Sequence, residues 1–206
     1  MKIAMVTSVS DCTPWAEFTT PNHSEYCKRN GYTFIARHLP YTEAVGDFAF
    51  LLDLLSHFDA VWALDSDAVV TNMSYKVESI LAYDGNSMHV CREQISDLVR
   101  INCGSVIWTP GCKRLIQSLV DHEAEWRSLT WIWQQWVEQL FYGERQVTGI
   151  DARSCITVHP SRTFNSCDHG DVQNWMSGDF VFHPCGEALD RKMASIKFVI
   201  EGSVIR

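Results

Sequence analysis

Between Ala60 and Asn72, the sequence places two acidic residues between two apolar runs. Residues 60–64 have the composition of a buried strand, an Asp-Ser-Asp triplet follows at 65–67, and residues 68–70 are apolar again. Residues two apart on an extended backbone project to the same side, so the carboxylates of Asp65 and Asp67 can reach one point in space. Two carboxylates held that close repel each other unless a cation or a proton lies between them. The pattern therefore predicts a buried strand that ends in an acidic cluster.

A hard divalent cation is the occupant that this acidic pair favours. Mn²⁺ and Mg²⁺ take oxygen ligands and leave coordination positions open for a diphosphate. A D-x-D triplet also occurs by chance, but ligands of α/β sheets bind at the carboxyl ends of the strands, where this triplet is expected to lie. Asp65 and Asp67 are therefore predicted to bind Mn²⁺, or alternatively Mg²⁺, beside a diphosphate-containing substrate.

The first 70 residues alternate between strand and helix signals. Strands are predicted at Lys2–Ser8, Tyr32–His38 and Ala60–Leu64. Helices are predicted from a Thr20-Pro21 start to an Asn30-Gly31 stop, and over the leucine-rich stretch that ends near His57-Phe58. This order predicts a parallel α/β sheet with right-handed crossovers.

Beyond Asn72 the signals are more scattered. Helices are predicted at Ser74–Tyr83, from Thr109-Pro110 to about Trp126, at Trp131–Tyr142 and at Glu187–Ile200. Strands are predicted at Ser87–Arg92, Ile156–His159 and Phe180–His183. The stretch Ile101–Trp108 is predicted to be a tight loop followed by a strand, and Gly143–Gln173 to be loop apart from one short strand. With 206 residues and no repeat or linker, the chain is expected to form one domain.

Charge and cysteine usage limit the partners and the compartment. The 17 basic and 25 acidic residues give a net charge of −8, which disfavours a general nucleic-acid or anionic-membrane binder. No run approaches about 18 apolar residues and no signal-peptide pattern follows Met1, so a cytoplasmic protein without a membrane span is expected. The 8 cysteines include no C-x-x-C pair and are expected to be reduced. Cys167-Asp168-His169 is too compact to supply a tetrahedral zinc site alone.

Two further stretches admit a structural and a functional interpretation. Thr7 and Ser8 end the first strand, where they either form a simple turn or contact a nucleotide base or ribose. The three tryptophans of residues 131–136 lie in a helix that belongs either to the core or to a contact between subunits of a homo-oligomer. Glu138 and Gln139 lie among the apolar residues of that helix, where burial requires a polar partner.

Four motifs follow one another between residues 22 and 186. They read Asn22-His23-x-x-Tyr26 with Asn30-Gly31-Tyr32, then Trp62-Ala63-Leu64-Asp65-Ser66-Asp67-Ala68, Asn102-Cys103-Gly104-Ser105, and Gly178-Asp179-Phe180 with His183-Pro184-Cys185-Gly186. In this order they resemble the motifs of the GT-A glycosyltransferases, specifically the galactosyl/xylosyl-transferase family of the yeast mannan and plant xyloglucan type.

The resemblance implies a fold, a donor and a cofactor. The expected fold is GT-A (Rossmann-like), a single α/β domain with a mostly parallel central sheet flanked by helices. Residues 1–72 would form its nucleotide-binding part and residues 73–206 its acceptor-side part. The implied reaction uses a UDP-sugar donor and Mn²⁺, and it transfers a hexose or pentose with retention at the anomeric carbon.

Residue roles carry over motif by motif. The implied metal ligands are Asp65, Asp67 and His183, although His183 could instead be a core histidine at a strand end. The residues expected to bind the donor are Thr7, Ser8, Asp65, Ser66, Gly104, Gly186 and Lys192. The catalytic candidates are Asn102, which would border the sugar, and the pair Glu138 and Gln139, which would lie beside the reacting carbon.

Two departures from the family pattern concern the donor. The family has a lysine before the D-x-D strand where this chain has Phe48-Ala49-Phe50, so Arg191 or Lys192 would supply that contact. An aspartate usually follows the Glu-Gln pair, whereas here Leu140 does. The identity of the sugar therefore stays open.

Two other functions fit part of the sequence. A sugar-nucleotide nucleotidyltransferase would share the fold, but the loop after the first strand, S-V-S-D-C-T-P-W, lacks the glycine and basic residues usual in that class. A non-catalytic sugar- or nucleotide-binding module would use the aromatic helix as an interface. For a transferase, the acceptor is open among glycan, protein, lipid-linked sugar and modified nucleobase, with a glycan favoured.

Overall fold

The computed structural model describes residues 1–44, 46–82, 87–95, 98–169 and 172–204. The strands are β1 (Ile3–Val9), β2 (Thr33–His38), β3 (Ala60–Leu64), β4 (Val69–Val70), β5 (Met88–Ile95), β6 (Leu98–Trp108), β7 (Ile156–His159), β8 (Ser166–His169) and β9 (Val181–Cys185). The helices are α1 (Ala16–Asn30), α2 (Tyr41–Ala44), α3 (Phe48–Leu54), α4 (Glu78–Leu81), α5 (Lys113–Asp121), α6 (Glu123–Trp126), α7 (Ile132–Tyr142), α8 (Ala152–Cys155) and α9 (Leu189–Val204). A 3₁₀ turn at Pro110–Cys112 leads into α5.

Six strands form the central sheet in the order β2-β1-β3-β6-β5-β7. β1 pairs in parallel with β2 and with β3, and β5 pairs in parallel with β7. β6 runs antiparallel to both of its neighbours, β3 and β5. Three of the five pairings are therefore parallel, and the expected α/β domain with a mostly parallel sheet is confirmed.

Alternate side chains of the central strands pack into two apolar layers, one on each face of the sheet. In β3, Val61 belongs to the layer that contains α3, α5 and α7, whereas Trp62 belongs to the layer that contains α1 and α4. The Trp62 ring is fully buried, and its Nε1 donates to Ser105 Oγ on β6 at 2.9 Å. A strand covered on both faces must be apolar throughout, which explains the uninterrupted run before the acidic triplet.

A second sheet, in the order β4-β9-β8, joins the middle of the chain to its last quarter. β4 is antiparallel to β9, and β8 is parallel to β9 with Cys167 opposite His183. β4 begins two residues after Asp67, and β9 carries His183. This sheet therefore brings the acidic triplet and His183 to the same end of β3.

Helix α1 begins earlier than the sequence predicts. It starts at Ala16, four residues before Thr20, and Pro21 lies inside it. A contact with the acidic triplet stabilises the first turn, because the Thr19 hydroxyl donates to Ser66 O at 2.6 Å. The predicted exit is confirmed, because Gly31 follows Asn30 with a left-handed φ of 73°.

Tertiary contacts also change two of the other predicted elements. The expected helix Ser74–Tyr83 is reduced to α4, because the Ser74 amide and hydroxyl bond Asn72 Oδ1 in a local turn; Tyr83 lies outside the described residues. Residues 101–104, expected to be a loop, belong to β6, because Ile101 and Asn102 pair with β5 and the Gly104 carbonyl accepts from the Asp65 amide at the end of β3. The strand is irregular in this region, because the register between β5 and β6 shifts: His89 pairs with Ile107, whereas Cys91 pairs with Asn102.

Smaller differences lie in the second half of the chain. The helix expected to reach Trp126 is interrupted at His122, which separates α5 from α6. The stretch 143–173, expected to be nearly all loop, contains α8 and β8 in addition to the predicted strand β7. β8 is short and polar, so its strand state depends on pairing with β9 rather than on its own sequence.

The aromatic helix α7 lies mainly in the core. Trp136 is fully buried, and Trp133 packs against Phe48 with ring centroids 5.3 Å apart. Trp131 is exposed, so one of the three tryptophans is accessible to a second subunit within the expected homo-oligomer. Among the described residues, no helix is both long and apolar enough to cross a bilayer.

His23 of α1 is a buried histidine that links three segments near the acidic triplet. Its Nε2 lies 2.8 Å from Ala68 O and its Nδ1 lies 3.0 Å from Thr7 Oγ1. A carbonyl oxygen only accepts, so the neutral ring carries its proton on Nε2 and leaves Nδ1 as an acceptor beside the Thr7 hydroxyl, which also lies within donating distance of Leu64 O. Burial lowers the pKa of His23 to about 4.

Lowering the pH from 7 to 5 is expected to reduce the free energy of unfolding through His23. In the unfolded chain the ring titrates near 6.5, whereas in the folded chain it stays neutral down to about 4. The unfolded state therefore binds more protons between these values, and His23 lowers stability by about 2 kcal/mol at pH 5. Urea unfolding of wild type and His23→Asn at both pH values measures this, because the variant should lose less stability between them. His57→Asn, at an exposed histidine, is the control; an undiminished loss in His23→Asn contradicts the assignment.

Candidate active site

The acidic triplet lies directly after β3 and is held from two sides. The Asp65 amide donates to Gly104 O of β6 at 2.8 Å. On the other side Trp15 Nε1 donates to Ser66 Oγ at 3.0 Å. Asp67 is buried, whereas the Asp65 side chain is 60% exposed. The two carboxylates therefore differ in their access to solvent, although they lie side by side.

His183 reaches this pair from β9. Its Nε2 lies 3.2 Å from Asp67 Oδ1 and 3.8 Å from Asp65 Oδ2. One ligand atom from each of the three residues lies within 4.8 Å of the others. The structure thus brings together the three side chains that the sequence predicts as metal ligands, across 118 residues of chain.

Gly104 leaves space for the His183 ring to lie beside the Asp65 carboxylate. A Cβ atom at this position would lie 2.0 Å from Cε1 of His183 and 2.9 Å from Oδ2 of Asp65. Any other residue would therefore displace the ring or the carboxylate. The Gly104 amide donates to Asn102 Oδ1 at 2.8 Å, which fixes the irregular segment of β6 against the site.

Neighbouring charges shift the pKa values of Asp65 and Asp67 in opposite directions. Burial alone would raise the pKa of Asp67, but His183 and Lys192 hold it well below its usual range. Loss of solvent and repulsion from Asp67 raise the pKa of Asp65 to about 6. Water moderates the first of these effects, because 60% of the Asp65 side chain reaches solvent. The repulsion between the carboxylates is the electrostatic feature that a bound cation would relieve.

This donor set fits a hard divalent cation. Ligand atoms at about 2.1 Å from an octahedral ion lie about 3.0 Å apart when adjacent. The observed separations of 3.2 and 3.8 Å need only small side-chain adjustments to reach that value. Two carboxylates and one imidazole are acceptable ligands for Mn²⁺ and leave half of the coordination sphere for substrate oxygens.

Lys192 of α9 also reaches the acidic pair. Its Nζ donates to Asp67 Oδ2, and the ammonium lies 4.7 Å from the centre of the Trp15 ring. The structure thus places this predicted donor-binding residue in direct contact with a predicted metal ligand. The ammonium thus lies between the buried carboxylate of the acidic pair and the Trp15 ring.

Asn102 lies at the centre of a buried polar network. Its Nδ2 donates to Glu93 Oε2 at 3.0 Å, and its Oδ1 accepts from Asn165 Nδ2 at 2.6 Å as well as from the Gly104 amide. Asn165 Oδ1 in turn lies 3.1 Å from His183 Nδ1. Hydrogen bonds therefore connect the strand that carries Gly104 with the histidine that faces the acidic pair.

Helix α7 contacts the same segment of β6 through residues one turn apart. Gln134 Oε1 accepts from the Cys103 amide at 2.9 Å, and Glu138 Oε1 accepts from the Ile101 amide at 3.0 Å. Burial raises the pKa of Glu138 above its usual value. Gln139 points elsewhere, since Arg145 Nε donates to its Oε1 at 3.1 Å. The structure therefore brings Glu138, but not the Gln139 side chain, to the segment that borders the site.

Three other predicted donor-binding residues, Thr7, Ser8 and Gly186, lie outside the group formed by Asp65, Asp67 and His183. The Thr7 hydroxyl is fully buried and lies 3.0 Å from both His23 Nδ1 and Leu64 O. Ser8 is half-buried and is paired with β2. Gly186 has a left-handed φ of 63°, and a Cβ there would lie 2.8 Å from His169 Nε2. Thr7 thus supports the triplet from inside the core, while Gly186 makes the turn after β9.

Two residues of the site belong to no motif in the sequence. Gln134 and Asn165 lie in segments for which the sequence predicts only an aromatic helix and a loop. The helical spacing of Gln134 and Glu138 is the signal that could have placed them on one face. Nothing local marks Asn165, because its position depends on the pairing of β8 with β9.

The fold is similar to those of several solved glycosyltransferases. A glycosyltransferase involved in the glycosylation of the major capsid of PBCV-1 superposes with a TM-score of 0.71 at 18% identity, over 96% of this chain and 100% of that one. GlyE of Streptococcus pneumoniae TIGR4 gives 0.62 at 15% identity, over 98% and 63%. The galactosyltransferase LgtC, in complex with donor and acceptor sugar analogues, gives 0.55 at 13% identity, over 98% and 95%. The chain has the GT-A fold.

These similarities are structural, and the sequence itself matches no protein-family model and no curated protein. The chain spans 63% of the length of GlyE but the whole length of the PBCV-1 enzyme. In this GT-A domain the acidic triplet, Gly104 and His183 meet at the carboxyl end of β3.

Proposed function

We propose that this protein is a metal-dependent, retaining glycosyltransferase that moves a sugar from a UDP-sugar to an acceptor. The observation that carries the proposal is the convergence of Asp65, Asp67 and His183 at the end of β3 in a GT-A domain. The similarity to LgtC, which was crystallised with donor and acceptor sugar analogues, supports the reaction class. The four motifs support a relationship to the yeast mannan and plant xyloglucan type.

Asp65, Asp67 and His183 would hold the metal ion, with Mn²⁺ favoured over Mg²⁺ because imidazole is one of the donors. When bound, Mn²⁺ supplies positive charge that offsets the charge building on the departing diphosphate. Two of the three ligands directly follow β3, and the third comes from β9 of the second sheet. Gly104 keeps open the space in which they converge.

Lys192 provides the second positive charge of the proposed site. In the structure its ammonium pairs with Asp67, and the cation would take over that pairing. Lys192 would then be available to the diphosphate, where its charge would stabilise the leaving group in the transition state. The lysine would thereby replace the one that this chain lacks before β3.

The sugar is expected to lie beside the irregular segment of β6. Asn102 and Glu138 fix this segment, and the Glu138 carboxylate is in direct contact with its backbone. Retention leaves little room for a separate base, so catalysis would depend on positioning the two sugars and stabilising the diphosphate. Gln139 would have to leave Arg145 to take the catalytic role that the motif implies.

The donor is proposed to be a UDP-hexose or UDP-pentose and the acceptor a glycan. A cytoplasmic location and a homo-oligomer through the Trp-rich helix, where Trp131 is exposed, complete the proposal. The principal competing function is a binding module that takes up sugars or nucleotides without turnover.

Calorimetry with UDP and a donor screen test the proposal together. UDP is expected to bind at least about 10-fold more tightly with Mn²⁺ than without it, because the cation joins the carboxylates to the diphosphate. A panel of UDP-sugars should then show UDP release that requires Mn²⁺, with the acceptor found by mass spectrometry of candidate glycans. Metal-dependent binding without UDP release from any donor would favour the binding module. UDP binding that ignores Mn²⁺ would contradict the metal site itself.

A further inference from the structure

A second group of metal-ligating atoms lies on the other side of the His183 ring. Nδ1 of His183 lies 3.2 Å from Sγ of Cys185 and 3.6 Å from Sγ of Cys167, and these three atoms all lie within 4.8 Å of one another. The pairing of β8 with β9 places Cys167 opposite His183, and Cys185 follows two residues later on the same face. The ring therefore presents one nitrogen to two carboxylates and the other to two thiols.

The spacing of these atoms is close to that of a tetrahedral zinc site. With Zn–S of about 2.3 Å and Zn–N of about 2.0–2.1 Å, tetrahedral geometry separates sulfur and nitrogen by about 3.6 Å. The observed sulfur–nitrogen distances are 3.2 and 3.6 Å. Asn165 Oδ1 lies 3.1 Å from His183 Nδ1 and 3.5 Å from Cys167 Sγ, so it is placed as a fourth donor. The backbone already holds these groups in position.

Burial and charge also suit a thiophilic ion. None of the four residues is more than 9% exposed. Two thiolates neutralise the charge of a divalent ion, so the complete site carries no net charge into the interior. Thiolate and imidazole ligands select Zn²⁺ over Mn²⁺ or Mg²⁺, which prefer the oxygens on the other side of the ring.

We propose that Cys167, Cys185 and Nδ1 of His183 bind Zn²⁺, with Asn165 Oδ1 completing the site, and that this Zn²⁺ competes with Mn²⁺ for His183. Binding releases the two thiol protons to solvent. A neutral imidazole has one lone pair, so when Nδ1 ligates Zn²⁺ the ring proton resides on Nε2, which then cannot ligate Mn²⁺. The competition rests on the proposed function, whereas the thiolate site does not.

Cobalt titration of the full, metal-free chain under reducing conditions tests the thiolate site. Co²⁺ is expected to give a sulfur-to-cobalt charge-transfer band that saturates at one ion per chain and disappears when Zn²⁺ is added. Cys167→Ser and Cys185→Ser should each weaken binding at least about 100-fold and reduce the band, because each removes one of three strong ligands. Cys12→Ser, at an exposed thiol, and Cys27→Ala, at a buried thiol of α1, are the matched controls.

Asp65→Asn separates the two sites, because it leaves the thiols untouched. The cobalt band should persist in Asp65→Asn, because this variant keeps all the proposed zinc ligands. If a cysteine variant fails to fold, the bands of wild type and Asp65→Asn still test the thiolate site. The thiolate site is overturned if wild type gives no band, if the band survives in both cysteine variants, or if Cys167 and Cys185 form a disulfide under these conditions.

Competition is measured by the Mn²⁺ that remains bound in the presence of UDP, counted by electron paramagnetic resonance. One equivalent of Zn²⁺ should weaken Mn²⁺ binding at least about 10-fold in wild type and much less in Cys167→Ser. Unchanged Mn²⁺ binding with Zn²⁺ in place would overturn the competition. If the cobalt band appears but no donor is turned over, only the proposed function is contradicted. If a donor is turned over but no band appears, only the thiolate site is contradicted.

Discussion

Replacing Asp67 with Asn is expected to reduce Mn²⁺-dependent turnover of a UDP-sugar by about 1,000-fold, or roughly 4 kcal/mol of transition-state stabilisation. Asp67 is the more confined of the two carboxylates, since it is buried between His183 Nε2 and Lys192 Nζ. The amide keeps the size of the side chain but removes the negative charge, so the cation loses its strongest ligand. Lys192 also loses the carboxylate with which it pairs.

Steady-state UDP release, with Mn²⁺ varied over several decades, measures this effect. Raising Mn²⁺ should recover only part of the activity, because the diphosphate also loses a fixed contact through the ion. Asp53→Asn, at an exposed carboxylate of α3, is the control and should behave as wild type. Wild-type turnover by folded Asp67→Asn would rule out the metal role.

Gly104→Ala is expected to lower turnover at least about 100-fold while the protein stays folded. The new methyl group would lie 2.0 Å from His183 Cε1, so the ring must move away from the acidic pair. A misplacement of about 1 Å can itself cost about 100-fold in rate. Mn²⁺ affinity should fall together with turnover, because the displaced group is a proposed metal ligand.

Gly202→Ala is the matched control for this substitution. Gly202 lies in α9, and a methyl group added there would meet no heavy atom within 4 Å. The substitution should therefore gain up to about 1 kcal/mol of helix stability and leave turnover unchanged. Thermal unfolding of both variants separates a local displacement from a global loss of structure. A Gly104→Ala protein with normal Mn²⁺ affinity and normal turnover would show that His183 is not needed where it lies.

Local sequence patterns predict the part of the site that consists of neighbouring residues. The strand before Asp65 is an apolar run, and the spacing of Asp65 and Asp67 places both carboxylates on one side. His183 is identified only through its motif, because no local signal connects it with residues 118 positions earlier. Its position depends on the pairing of β4 with β9, which is a long-range property.

The wrong predictions arise where tertiary contacts override local preference. Asn102 and Gly104 favour turns and so predict a loop, yet residues 101–104 are part of β6, because Ile101 and Asn102 pair with β5 and Gly104 O accepts from the Asp65 amide. Helix α1 extends back past Pro21 because Trp15 and Thr19 bond the acidic triplet. No local pattern indicates the group of zinc-type donors, since Cys167 and Cys185 come together only across two strands.

The sheet formed by β4, β9 and β8 has a consequence for biosynthesis. Because β9 and α9 supply His183 and Lys192, a nascent chain that ends before β9 has the acidic pair but neither of these two partners. During vectorial folding the two carboxylates must therefore coexist without their counter-charges until the C-terminal strand and helix have been made. The proposed cation site is accordingly complete only late in synthesis, after β9 and α9 have been made.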